Sequence, residues 1–182
     1  MSFLSFFRKS HNVSTIALSG IIAPNMGRRK GLNLYELDKV IEQAFSVKNL
    51  KAVALQINSP GGSPVQSEMI SKRIRDLSED KNIPVLAFVE DVAASGGYWL
   101  ACAADEIFAS KASIIGSIGV VSSGFGFDKA IKKIGVDRRL YTSGENKAIL
   151  DPFLPENKDD IKRLKDIQKE LHNQFISFVK SR

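Results

Sequence analysis

The sequence predicts an α/β protein with a mainly parallel sheet flanked by helices. Three observations carry this. Two short apolar runs, at residues 52–57 and 84–90, have the length and near-continuous hydrophobicity of buried parallel strands. Each passes through a glycine-rich turn into a segment whose apolar residues recur at helical spacing. A chain of 182 residues, 43% of them hydrophobic, is long enough for one well-buried core and short for two.

In chain order, residues 13–18 are β-branched and apolar enough for a first strand ended by Gly20, with Ile21 and Ile22 extending it past a bend before Pro24. A polar, basic loop follows. Asn33 is a good N-cap, and Leu34, Leu37, Ile41 and Phe45 recur at helical spacing, so an amphipathic helix is expected over 34–45. The strand at 52–57 runs into Asn58-Ser-Pro-Gly-Gly-Ser-Pro64, the densest breaker cluster in the chain. Ser63 then caps a helix with Pro64 at its first position and Gln66 completing a capping box. Val65, Met69, Ile70, Ile74 and Leu77 supply its expected buried stripe.

The unit of strand, glycine turn and helix repeats with the strand at 84–90, the Ser95-Gly-Gly turn and a helix over 98–104. Two glycine turns are therefore expected at one edge of the sheet. Residues 106–110 read as a short strand, and 113–122, apolar and glycine-punctuated, as a tight buried loop entering another strand. A short helix over 127–134 stopped by Gly135, a strand over 136–142 and a polar loop at 143–147 come next. Ile161, Leu164, Ile167, Leu171, Phe175 and Phe178 form a stripe on a charged terminal helix that must bury against something.

Composition narrows the function. The net charge of +6 comes from Lys and Arg mixed with Asp and Glu, with no clustered basic footprint for nucleic acid. The single cysteine, Cys102, forms no internal disulfide and reads as a buried small hydrophobe. No run approaches the roughly 18 apolar residues of a membrane span. Residues 1–9 place apolar residues before positive ones, the reverse of a secretory signal, so residues 1–12 are expected to be a flexible segment and 13–182 a single domain.

Ser95 lies between a strand and a helix, at the sheet edge where open α/β proteins handle ligands, and Gly96 and Gly97 let backbone approach a substrate closely. Ser-Gly-Gly is also the composition of an ordinary turn. A serine nucleophile needs a base. The two histidines, His11 and His172, belong to no turn at that edge, which leaves the Ser-Lys pair as the alternative. Most lysines sit on charged helix faces, whereas Lys147 lies in a Gly-containing loop before the apolar Ala148-Ile149-Leu150.

The set Ser59-Pro-Gly-Gly62, Ala94-Ser-Gly-Gly-Tyr98, Ile115-Gly-Ser-Ile-Gly-Val120 and Ser143-Gly-Glu-Asn-Lys147 resembles the signal peptide peptidase A family, with its SohB-like members, in the ClpP/crotonase superfamily. The resemblance runs from Val13 onward. It implies a ClpP/crotonase-like fold of repeated β-β-α units, with Ser95 as nucleophile, Lys147 as general base and Ser117 orienting the lysine. It further implies an oxyanion hole at Gly62 with Gly96 as partner, no metal, and no organic cofactor. On the residues alone, Ser117 reads equally as a serine satisfying a neighbouring carbonyl, and Tyr98 and Trp99 as groove-lining or as helix packing.

The function expected is a serine endopeptidase acting on signal peptides or membrane-associated polypeptides, as a homo-oligomer, cytoplasmic or peripheral at the inner membrane and without nucleic acid. Set against the resemblance, the chain is expected to lack the N-terminal transmembrane helix of the membrane-anchored members and the usual C-terminal extension. The alternatives are a crotonase-like acyl-CoA enzyme and an inactive peptidase-like scaffold.

Overall fold

The computed structural model describes residues 11–25, 31–144 and 146–182. Most of the N-terminal segment, part of the basic loop before Asn33, and Glu145 of the Ser143–Lys147 motif lie outside the described residues. The chain divides into two compact units, one comprising residues up to Ile118 together with Phe175–Arg182, the other Gly119–Gln174.

The first unit is a parallel sheet. β1 (Asn12–Ser19), β2 (Leu50–Ser59), β3 (Val85–Ala94) and β4 (Glu106–Ala109) stand side by side in sequence order, and β5 (Ile114–Gly116) pairs with the far end of β3. Helices α1 (Leu34–Ala44), α2 (Pro64–Lys81) and α3 (Gly96–Ala101) form the crossovers. The second strand of each expected β-β-α unit is reduced: Ile22 forms only isolated parallel bridges to Leu32 and Gly62, and the last residues of β3 leave β4 to pair with β5.

Register explains the core. Ile16, Leu55 and Ala87 lie opposite one another, as do Leu18, Ile57 and Val89, and all are buried with Ile41, Ile70, Ile74 and Leu100 of the helices. The alternate row runs through Ala17, Gln56, Phe88 and Phe108, and there Gln56 and Phe88 are exposed. The strands expected to be buried throughout are therefore buried on one face and largely open on the other. Phe88 and Phe108 stack on that open face, ring centroids 5.2 Å apart.

Caps follow the sequence with one exception. The Asn33 side chain accepts from the Glu36 amide at 3.0 Å, and Ser63 Oγ accepts from the Gln66 amide at 3.4 Å. The capping box stays open, because the Ser63 amide donates to the Ile22 carbonyl at 2.8 Å and Gln66 Oε1 accepts instead from the Leu34 amide at 2.9 Å. Gln66 thus caps the helix before its own.

The buried stripe of α2 also differs from expectation. Ile70, Ile74 and Leu77 are buried, but Val65 and Met69 are 57% and 41% exposed. Ser67, Ser71 and Ser78 take the remaining inward positions, since 67, 70, 71, 74, 77 and 78 share one helical face.

Of the expected later elements, the strand at 136–142 does not form, and residues 113–122 are mostly exposed around the three-residue β5 rather than a buried loop. The second unit holds α4 (Asp128–Lys133) and most of α5 (Lys158–Lys180). Arg138 pairs with Asp151 at 2.8 Å and lies over the Phe153 ring, which stacks on Phe127 with centroids 5.6 Å apart. Among the described residues no helix is long and apolar enough to cross a membrane.

Candidate active site

β3 ends at Ala94, and the chain turns sharply into α3 through Ser95, whose backbone takes φ 51° and ψ −121°. This is the first central position of a type II′ turn, where glycine is the usual residue. A serine held there stores backbone strain of about 1–3 kcal/mol, of the kind that persists where surrounding structure imposes it. Two hydrogen bonds impose it here: the Ser95 amide donates to the Gly116 carbonyl of β5 at 2.8 Å, and the Ser95 carbonyl accepts from the Trp99 amide at 3.0 Å. Ser95 is half-buried and its side chain does not cap the helix it begins.

The Ser59-Pro-Gly-Gly62 turn lies directly against this elbow. A Cβ on Gly61 would meet the Ala94 carbonyl oxygen and the Gly96 amide nitrogen at 2.7 Å each. One on Gly62 would run into the Ile22 carbonyl oxygen, and Gly62 already has φ 144°. One on Gly97 would strike the Ser59 carbonyl oxygen. Three glycines are thus required by close approach, beyond any need for turn flexibility. A Cβ on Gly96 would stand 3.4 Å from the Gly62 nitrogen, which brings the two amides into one neighbourhood. Neither amide donates a hydrogen bond among the described residues. No site role was assigned to Ser59, Gly61 or Ser67 from the sequence; for Ser59 and Gly61 the signal was their place in the Ser59-Pro-Gly-Gly62 turn, and Ser67 carried none.

Ser117 follows Gly116, the residue whose carbonyl holds the Ser95 amide, and it too has a positive φ, 56°. Its side chain is exposed. Ser95, Gly96, Gly62 and Ser117 therefore belong to one compact unit. Lys147 belongs to the other, in an exposed turn where its amide donates to the Gly144 carbonyl at 3.4 Å. That unit carries a concavity of about 970 Å³ lined in part by Asn146, Ala148, Ile149 and Leu150.

Behind the elbow, α3 is packed rather than open. Trp99 is buried and stacks on Phe175 and Phe178, centroids 4.7 and 5.2 Å away, which makes it a packing residue. Burial raises the pKa of the Tyr98 phenol and of the Cys102 thiol. Cys102 is buried, as expected of a small hydrophobe. Arg182 Nε donates to the Cys102 carbonyl at 3.1 Å. Asp105 accepts from the Val85 amide and from Arg75 at 2.8 Å each, with Arg182 at 3.5 Å. Burial pushes the Asp105 carboxyl upward, but the Val85 amide and the two guanidinium groups outweigh it and leave the pKa below the ordinary value. No group of metal-ligating side chains occurs among the described residues.

The profile of peptidase family S49 matches residues 78–182. Over 93% of its length the chain is 53% identical to a protein described as a Na(+)/H(+) antiporter NhaA of Brucella melitensis, spanning 23% of that protein. Over 67% of its length it is 38% identical to the chloroplastic serine protease SPPA of Arabidopsis thaliana, spanning 19% of it. Over 73% it is 32% identical to protease 4 of Haemophilus influenzae, spanning 22%. The chain thus spans about a fifth to a quarter of each of these relatives. By class, this domain is related to the serine-type peptidases. It belongs to peptidase family S49, in the SppA-like group.

Proposed function

We propose that the domain hydrolyses peptide bonds with a Ser95–Lys147 dyad, acting on signal peptides or membrane-associated polypeptides. The observation that carries this reading is the strained type II′ conformation of Ser95 at the carboxyl edge of β3, beside two glycine amides that lack acceptors. Strain of this size is retained where a function needs the side chain presented.

Ser95 Oγ attacks the scissile carbonyl carbon while its proton passes to Lys147 Nζ, which accepts it only as the free amine. The carbonyl oxygen becomes an oxyanion held by the Gly62 and Gly96 N–H groups, each donor contributing about 3 kcal/mol. Collapse breaks the C–N bond, and the departing amine takes the proton back from Lys147. Water then attacks the acyl-enzyme with Lys147 again as base, releasing the acid and restoring Ser95. Ser117 orients the lysine, and the working form is a homo-oligomer in peripheral contact with a membrane.

Labelling with a fluorophosphonate and turnover of a peptide library test this. Wild type is expected to label and turn over, Ser95→Ala to do neither, and Lys147→Arg to be inactive because a guanidinium keeps its proton. Equal turnover by Ser95→Ala removes Ser95 from the chemistry. Turnover of acyl-CoA thioesters without labelling points to the crotonase-like alternative, and neither activity to a scaffold.

A further inference from the structure

We propose that Ser67, on α2, is a positioning residue that sets the place of the Gly96 amide, and that α2 is narrow at this point for that reason. The proposal rests on the reading of Gly96 as an oxyanion donor. Gly96 is crowded: a Cβ there would run into Ser67 Oγ, press on Ile22 Cδ1 at 3.1 Å and touch the Gly62 nitrogen at 3.4 Å. Ser67 is fully buried, and its hydroxyl donates to the Ser63 carbonyl at 2.9 Å, which fixes its rotamer. One turn on, Ser71 Oγ donates to the Ser67 carbonyl at 2.7 Å and to the Trp99 carbonyl at 3.3 Å, tying α2 to α3 beside this contact.

α3 has no room to retreat from a larger residue at 67. Its Trp99 is buried and stacks on Phe175 and Phe178, and Gly97 sits against the Ser59 carbonyl. Extra volume must therefore move Gly96 itself, since packed interiors relieve overpacking by backbone shifts rather than by compression. A displaced donor no longer meets the oxyanion, and a misplacement of about 1 Å costs on the order of 100-fold in rate. This separates Ser67 from Ser78, a buried serine of the same helix whose hydroxyl donates to the Ile83 carbonyl at 2.7 Å, far from the elbow.

The test measures kcat, KM, fluorophosphonate labelling rate and thermal midpoint for Ser67→Val, Ser67→Thr, Ser67→Ala and Ser78→Ala. Ser67→Val is expected to lower kcat and labelling together by about 10- to 100-fold, with KM changed less than about twofold. Ser67→Thr follows in the same direction and stands in if valine prevents folding. Ser67→Ala, which keeps the space, is expected to lose less than about threefold, whereas Ser78→Ala lowers the midpoint without touching kcat. A folded Ser67→Val or Ser67→Thr with kcat within about twofold of wild type, and only its midpoint lowered, overturns the proposal. Absence of labelling in wild type, or turnover surviving Ser95→Ala, instead overturns the reading beneath it; loss confined to the Ser67 series leaves that reading standing.

Discussion

At Ser95 the backbone and the side chain answer to different demands. The conformation at φ 51° and ψ −121° suits glycine, yet glycine has no hydroxyl. Ser95→Gly should therefore relieve strain and raise the thermal midpoint by about 2–4 °C while abolishing labelling, an increment of about 1 kcal/mol for a chain of this size. Ser95→Ala keeps the Cβ and should melt close to wild type, so paired melting curves isolate the backbone contribution. A Ser95→Gly protein less stable than Ser95→Ala would show that the turn carries no strain. Sequence alone pointed to Ser95 through its two following glycines, but the positive φ was beyond it. The tertiary bond from the Ser95 amide to the Gly116 carbonyl, with the first bond of α3 from the Trp99 amide to the Ser95 carbonyl, imposes that angle, and local propensity argues against it.

Among the elements, those with strong local signals were legible: β1, β2, β4, α1 and α2 lie where apolar period, caps and breakers put them, whereas β3 runs past the expected end at residue 90 to Ala94, its last residues pairing with β5. The misses share a physical origin in tertiary choice among equivalent patterns. Gln66 stands at the right spacing for a capping box, but the Ser63 amide is already taken by Ile22, and the side chain turns to Leu34. Gln66→Ala should accordingly destabilise α1 rather than α2. We expect a loss of about 1 kcal/mol, with hydrogen exchange accelerating first at the start of α1. Faster exchange at the start of α2 alone would contradict this. Likewise, Val65 and Met69 had the hydrophobicity of a buried stripe, while close approach to α3 selected serines for that face. The expected strand at 136–142 has β-branched and apolar residues but no strand partner among the described residues, and an unpaired strand is not formed.

At the scale of the whole molecule, Asp105 joins the start of β3, α2 through Arg75 and the end of the chain through Arg182. Its pKa is lowered on folding, so its contribution to stability is present above the unfolded carboxylate value of about 4 and is lost as pH falls through the folded one. Wild type should be more stable than Asp105→Asn at neutral pH, with the gap closing below about pH 4; a gap independent of pH would assign the effect to packing. The meeting of the two glycine turns at one sheet edge was expected from the repeated strand–turn–helix pattern, but the particular contacts, Gly61 against Ala94 and Ser67 against Gly96, depend on tertiary register that local pattern does not carry. The tether between Ser95 and Gly116 sets a clock as well as a shape. β5 is three residues long and largely exposed, so it opens at far lower cost than the β1–β3 core, and each opening releases the Ser95 amide. On the proposed mechanism, Ser95 then holds its strained conformation only for the fraction of time that β5 is closed. If the proposed hydrolysis holds, turnover should fade reversibly on warming while the core strands remain folded, so that the temperature at which activity stops and the temperature at which the protein melts are two different numbers.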